Sequence, residues 1–203
     1  WFPYGVSLDG PYDIPIVRKP VFDVWPIRAR SFDKRGQTPD MKLLLHWYVK
    51  DHKLVTPATH PERLVSALAD RAGGITPDFT MRTNDREDRR IFATWMNRAV
   101  GAFLVSRGIE MVPNARWSSS HDWHFAFDGI EDRSAVSVSN LGCWRDGTLR
   151  QTFVPGLEAL IDKVNPEVIY LHGTLNHPRL KQLQRQHHIV HIPTHWASIG
   201  ETR

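Results

Sequence analysis

From Leu43 to Pro193 the chain repeats one pattern: a short apolar run, a polar or proline-bearing stop, then a stretch of helical periodicity. This alternation restricts the fold severely. A run of a few residues that is apolar at nearly every position is too short for a helix and needs cover on both faces, as a strand of a parallel sheet has. The runs lie at 43–49, 74–80, 109–117, 135–143, 168–174 and 189–193, and the helical stretches at 59–71, 85–107, 149–164 and 178–186. Short connections between them predict a mostly parallel α/β sheet of about six to eight strands with helices packed outside. A small or incomplete (β/α) barrel is one form such a sheet takes, and an open doubly wound sheet is the alternative.

Local chemistry supports these assignments. Thr59 reads as an N-cap with Pro61 and Glu62 in the first turn, Leu64, Val65, Leu68 and Ala69 share one face, and Gly73-Gly74 ends the helix. Thr83 or Asn84 caps the longest helix, Asp85, Glu87 and Asp88 suit its positive end, and Gly108 stops it. Phe92, Trp95, Met96, Ala99, Val100 and Phe103 recur at helical spacing and read as core. The stripe Phe153, Leu157, Leu160 and Ile161 marks the next helix, with Pro155 placing its start at Val154 or Pro155. Residues 1–40, punctuated by Pro11, Pro15, Pro20, Pro26 and Pro39, read as an irregular extension packed on an α/β domain of residues 41–203.

Composition bounds the class. The 203 residues are 41% hydrophobic and 24% charged, enough to bury one core, and no apolar run approaches the ~20 residues that cross a bilayer. No membrane association is expected. The start, Trp1-Phe2-Pro3-Tyr4, lacks the basic and apolar regions of a signal peptide, and the missing initiator methionine leads to the expectation of a longer natural chain. One cysteine, Cys143, leaves no internal disulfide and no cysteine-rich zinc site, so a reducing, cytoplasmic setting is expected. A net charge of +4 favours anionic partners without identifying nucleic acid.

If the runs are parallel strands, their stops gather Asp78, Asn114, Arg116, Trp117, Asn140, Cys143 and His172 on one face, the face where α/β sheets bind ligands. Asn114 and Arg116, two apart on a strand, point to the same side and suit a phosphate, a carboxylate or a base edge. The competing role for Arg116 is a pairing with Asp78 or Asp128. Asp78 serves as a general base or metal ligand, or closes an Asx-type turn. Trp117 offers a stacking ring, although tryptophan is also ordinary core. Cys143 reads better as a buried thiol than as a nucleophile. Of the eleven histidines, His187, His188, His191 and His195 come nearest to a ligand set, but no zinc spacing, GxGxxG, Walker loop or GxSxG sequence occurs.

The strings Ile75-Thr76-Pro77-Asp78-Phe79-Thr80, Asn97-Arg98-Ala99, Val112-Pro113-Asn114-Ala115-Arg116-Trp117, Phe125-Ala126-Phe127-Asp128-Gly129-Ile130 and Ser139-Asn140-Leu141-Gly142-Cys143 occur in this order. With them the chain resembles the bacterial and phage domain of unknown function family 4417 over roughly residues 15–173. The resemblance implies a phage or mobile-element context and carries no assigned catalytic residues. The expected function is nucleic-acid- or nucleotide-directed, as a binding protein or hydrolase. Asp78 and Asp128 are the candidate bases or magnesium ligands, and Asn114, Arg116, Trp117, Asn140 and His172 the candidate ligand-binding residues. The alternative is a non-catalytic protein that binds a host or phage protein through the aromatics of residues 1–40.

Overall fold

A computed structural model describes residues 5–36 and 38–194. A small antiparallel pair, β1 (Leu8–Asp9) and β2 (Ile14–Pro15), precedes seven parallel strands: β3 (Arg28–Ser31), β4 (Asp40–His46), β5 (Arg71–Ile75), β6 (Met111–Val112), β7 (Val136–Ser139), β8 (Ile169–Gly173) and β9 (Ile189–Pro193). Strands β3–β4–β5–β6 form one sheet and β7–β8–β9 another. A parallel bridge from Asn114 to Ser137 joins them, with Ala115 N–H donating to Ser137 O and Ser137 N–H to Pro113 O, both at 2.8 Å. The strands therefore follow one another in chain order with no reversal.

The outer layer is α1 (Val55–Thr59), α2 (Val65–Leu68), α3 (Glu87–Ser106), α4 (Trp123–Ala126), α5 (Gly147–Val164) and α6 (Pro178–Gln186). Side chains alternate across each strand and sort into separate cores. Leu43, Leu45, Trp47 and Met111 point outward against α2 and α3. Val136, Val138, Ile169 and Leu171 point outward into the cluster holding Leu157 and Leu160 of α5 and Leu180 of α6. The opposite face contributes Leu44, Ile75, Val112, Tyr170 and Ile192 to a third cluster, closed by Phe22 and Trp25. Residues from β4 and β8 meet within it, and Tyr170 Oη reaches across to donate to Pro26 O at 2.8 Å. The sheet thus curls around its own inner side chains. Among the described residues no pairing joins β3 to β9, so it is an open curl and not a closed barrel.

The sequence reading needs correcting in detail. The expected strand end at 74–78 begins earlier, and Gly73-Gly74 lie inside β5 instead of ending a helix. The reason is close approach: at Gly73, with φ +148°, a Cβ would stand 2.1 Å from Glu110 O, just ahead of the neighbouring β6. Over the expected helix at 59–71 the chain instead ends α1 at Thr59, makes a 3₁₀ turn at Pro61–Leu64 and forms only the short α2, because proline at 61 holds His60, at φ −137° and ψ 57°, out of helical geometry. Thr59 ends α1, its hydroxyl donating to Val55 O at 2.8 Å. Helix α5 begins at Gly147, capped by Asp146, and runs through Pro155. The segment expected to be an irregular extension also supplies β3, whose sequence Arg-Ala-Arg-Ser has no apolar run to announce a strand. Helix α6 and strand β9 match the expected ranges. His195 and the other terminal residues of the histidine-rich segment lie outside the described residues.

Candidate functional site

Period-two alternation places even-numbered residues of β4, β6 and β8, and odd-numbered residues of β7, on the inner face. Deep in the curl they are apolar, as Leu44, Val112 and Tyr170 show. At the strand carboxyl ends they turn polar: His46 and Tyr48, Asn114 and Arg116, Ser137 and Ser139, and His172.

Asp78, three residues beyond β5, is the hub of one network. Asn114 Nδ2 donates to its Oδ1 at 2.9 Å and Arg116 Nη1 to its Oδ2 at 2.6 Å. Asp78 and Arg116 keep 12% and 29% of their side-chain surface exposed, so this ion pair stands at the edge of solvent. Burial opposes the Arg116 charge, but the Asp78 carboxylate outweighs it and holds the guanidinium above its ordinary pKa. The Arg116 Nε–H has no hydrogen-bond partner among the described residues. Tyr48 Oη lies 2.9 Å from Asn114 Oδ1 and 2.5 Å from Ser137 Oγ. Ser137 Oγ donates onward to Tyr170 O at 3.0 Å, so the single Tyr48 proton serves both neighbours. Burial, reinforced by the charge of Asp78, keeps that phenol protonated.

A buried arginine underpins the network. Arg98, in α3, is 1% exposed. Its Nε donates to Asp128 O at 3.0 Å, its Nη1 to Asn114 O at 2.8 Å and to Asn97 Oδ1, and its Nη2 to Ala126 O at 3.0 Å. Burial lowers its pKa to about 9, with Asp128 and Asp9 acting the other way, so it remains charged at neutral pH. Asn97 extends the frame, donating to Pro77 O at 2.6 Å and accepting from Thr76 Oγ1 at 2.8 Å. Asn97-Arg98 thereby grips the turns that carry Asp78 and Asn114.

Across Tyr48 lies an aromatic group. His172 stacks on Tyr48 with centroids 4.3 Å apart and planes at 5°, and the His46 ring is 5.1 Å from His172. Tyr48 N–H donates to His46 Nδ1 at 3.3 Å, and His172 Nδ1 lies 2.9 Å from Ser139 Oγ. Burial lowers the pKa of His46 to about 3, aided by His172, and that of His172 to about 4, so both rings are neutral at physiological pH.

The structure thus brings together Asp78, Asn114 and Arg116, with His172 one ring away. The other candidates stand apart. Asn140 is 1% exposed, and both ends of its amide bond Thr174 backbone, so it pins the turn after β8. Trp117 is 7% exposed, stacked on Phe153 at 5.7 Å and edge-on to Phe127, with Nε1 donating to Thr152 O. Asp128 Oδ1 pairs with Lys163 Nζ at 2.6 Å, and its backbone, not its carboxylate, meets Arg98. Cys143 is buried, and burial raises its pKa to about 11, so it is a protonated thiol at neutral pH. Among the described residues no cluster of three or more histidine, cysteine or acidic side chains could hold a metal ion. His46, Tyr48, Ser137 and Ser139 were not singled out by sequence reasoning. The two-residue steps Leu44, His46, Tyr48 and Tyr170, His172 carried the signal, hidden inside apolar runs.

These features define an α/β protein with an open, curled parallel sheet and a polar network at its strand carboxyl ends. The chain belongs to the family described as Domain of unknown function (DUF4417), whose model matches residues 6–190. It is similar to the Gene 1 protein of Mycobacterium phage L5, with 31% identity over 152 residues, 75% of this chain and 65% of the phage protein. The Gene 1 protein of Mycobacterium phage D29 is 28% identical over 152 residues, covering 75% of this chain and 55% of that protein. The chain therefore spans less than two thirds of these relatives. No solved structure matches it. Among the described residues no helix is long and apolar enough to cross a membrane.

Proposed function

We propose that this is a nucleotide- or nucleic-acid-directed protein whose ligand site is the carboxyl-end face of the curled sheet. The observation that supports the reading is the state of Arg116: its guanidinium is held by Asp78 through Nη1, and 29% of its side-chain surface stays open at the edge of solvent. An arginine fixed in this way is preorganised for a phosphate oxygen. Asn114, fixed by Asp78 and Tyr48, supplies rigidity more than contact. In a hydrolytic version of this function, Asp78 would orient water or share a magnesium ion with the ligand's phosphates, the arrangement magnesium favours when a protein offers one carboxylate. Asp128, committed to Lys163, has no part in it.

Titration of labelled nucleoside phosphates, DNA and RNA at low salt, against the wild type and Arg116→Ala, tests this. The expected result is saturable binding that weakens at least about tenfold in the variant, the scale of one charge-assisted contact. Equal, negligible binding by both proteins removes the proposal.

A second function, docking to a protein partner, is favoured by one observation. Val21, Val24 and Ile27 are 77%, 70% and 70% exposed along the N-terminal segment, whereas the aromatics Phe22 and Trp25 expected to form that interface pack inward. Because the same segment leads into β3, the test is Val21→Ser/Val24→Ser/Ile27→Ser rather than deletion. Partner capture unchanged by that variant counts against docking there.

A further inference from the structure

On the same face, across Tyr48 from Arg116, the ends of β3, β4, β8 and β9 bound a cavity of about 440 Å³. That volume lies within the range of small-ligand sites. Its walls differ in kind. His46, Tyr48 and His172 form an aromatic corner, Leu141 and Pro193 are apolar, and Arg30 and Lys34 stand at the rim.

A backbone N–H is always a donor, so His46 Nδ1 accepts from Tyr48 and the neutral ring carries its proton on Nε2. His172 spends Nδ1 on Ser139. The Nε2 atoms of both rings have no hydrogen-bond partner among the described residues, and both residues line the cavity. His46 thus offers a donor, and His172 offers a donor or an acceptor according to the proton shared with Ser139. Two uncharged imidazole edges suit a neutral heteroaromatic ring with alternating donors and acceptors better than they suit a bare anion.

The rim carries the complementary signal. Its one carboxylate among the described residues, Asp33, accepts from Ser31 Oγ at 2.6 Å and from Lys53 Nζ at 2.5 Å. Neither Arg30 nor Lys34 has a carboxylate partner among the described residues. The cavity thus combines a neutral, ring-recognising wall with an unneutralised cationic edge.

We propose that this cavity binds one nucleotide, with its base against the edges of His46 and His172 and its phosphate toward Arg30 and Lys34. The assignment rests on the reading of this face as nucleotide-directed but not on the role of Arg116. The shared chemistry is that of a free mononucleotide or of the terminal nucleotide of a strand.

Calorimetric titration of the intact protein with nucleoside monophosphates, the matching nucleosides, ribose 5-phosphate and a short 5′-phosphorylated oligonucleotide tests it. At least one monophosphate or the oligonucleotide is expected to bind, with the matching nucleoside weaker and ribose 5-phosphate silent. Tighter binding of the oligonucleotide assigns the ligand to a strand end, and tighter binding of the monomer assigns it to a free nucleotide. His46→Gln should weaken binding at least about tenfold. Arg30→Ala/Lys34→Ala, confined to exposed residues, should erase the advantage of the phosphate and leave nucleoside binding unchanged. Failure of every nucleotide to bind the folded wild type overturns the inference, as does binding that neither variant alters. A loss seen only with Arg116→Ala overturns this assignment and leaves the Arg116 site standing. The converse pattern leaves the cavity assigned and removes Arg116.

Discussion

Arg116 Nη1 stands 2.6 Å from Asp78 Oδ2, while Asn114 Nδ2 holds the other oxygen of the same carboxylate at 2.9 Å. Three residues from the ends of two neighbouring strands thus form one charge-compensated unit. Removing one partner of such a pair costs more than removing both, because the survivor keeps an uncompensated charge. Asp78→Ala is expected to destabilise the fold by about 1–3 kcal/mol, discounted from the fully buried case because Arg116 is partly exposed. Asp78→Ala/Arg116→Ala should lose less than the sum of the two single variants. Urea unfolding of all four proteins measures this, and strict additivity would show that the pair is not coupled.

Arg98 makes a stronger demand. Its guanidinium bonds three backbone carbonyls and Asn97 from a site 1% exposed. Arg98→Met removes the charge but leaves the carbonyls of Asn114, Ala126 and Asp128 without these donors, for an expected loss of about 3 kcal/mol or more. Arg98→Lys cannot reproduce the fork and should recover little. Thermal unfolding of both variants checks this, and a near-wild-type Arg98→Lys would sink the account.

His46 and His172 make stability fall on acidification. In the unfolded chain both titrate near 6.5, whereas in the fold they accept a proton only near 3 and 4. Below about 6.5 the unfolded chain therefore binds more protons, and stability falls as pH drops toward these folded values. Above about 6.5 the contribution is fully present. The expected loss is about 2 kcal/mol for each ring at pH 5. Urea midpoints from pH 7.5 to 4.5 report it, and His46→Gln should flatten the slope. An unchanged slope contradicts the assignment of His46 as a neutral buried ring.

Gly156 lies inside α5 where a Cβ would come within 2.3 Å of the Trp117 indole. Gly156→Ala gains helix propensity, worth up to about 1 kcal/mol. It must nonetheless displace a ring packed on Phe153, and overpacking of this kind costs about 1–3 kcal/mol. A net fall in melting temperature is expected, and a rise would show that Trp117 yields easily.

Much of the fold is legible because its signals are local. Proline at the first position of α6, with His177 as its cap, marks that helix, and the apolar run of β8 marks a strand covered on both faces. β3 was not legible, since Arg28, Ala29, Arg30 and Ser31 show no apolar run and pair only because β4 offers a free edge. In the site, the side shared by Asn114 and Arg116 could be read from a two-residue step. The structural role of Asn140 could not, because a buried amide and an exposed one have the same letter.

By itself, the sequence determined that parallel strands end in polar residues on one face, because alternation and stops are properties of neighbouring residues. Only the tertiary structure decided which of those residues meet. Asp78 reaches Arg116 across 38 residues of chain, and Tyr48 stacks on His172 across 124. These encounters depend on the register between strands and on the curl of the whole sheet. The curl is set by how the inner side chains of β4 and β8 fill the space between them, a packing condition that no single segment contains.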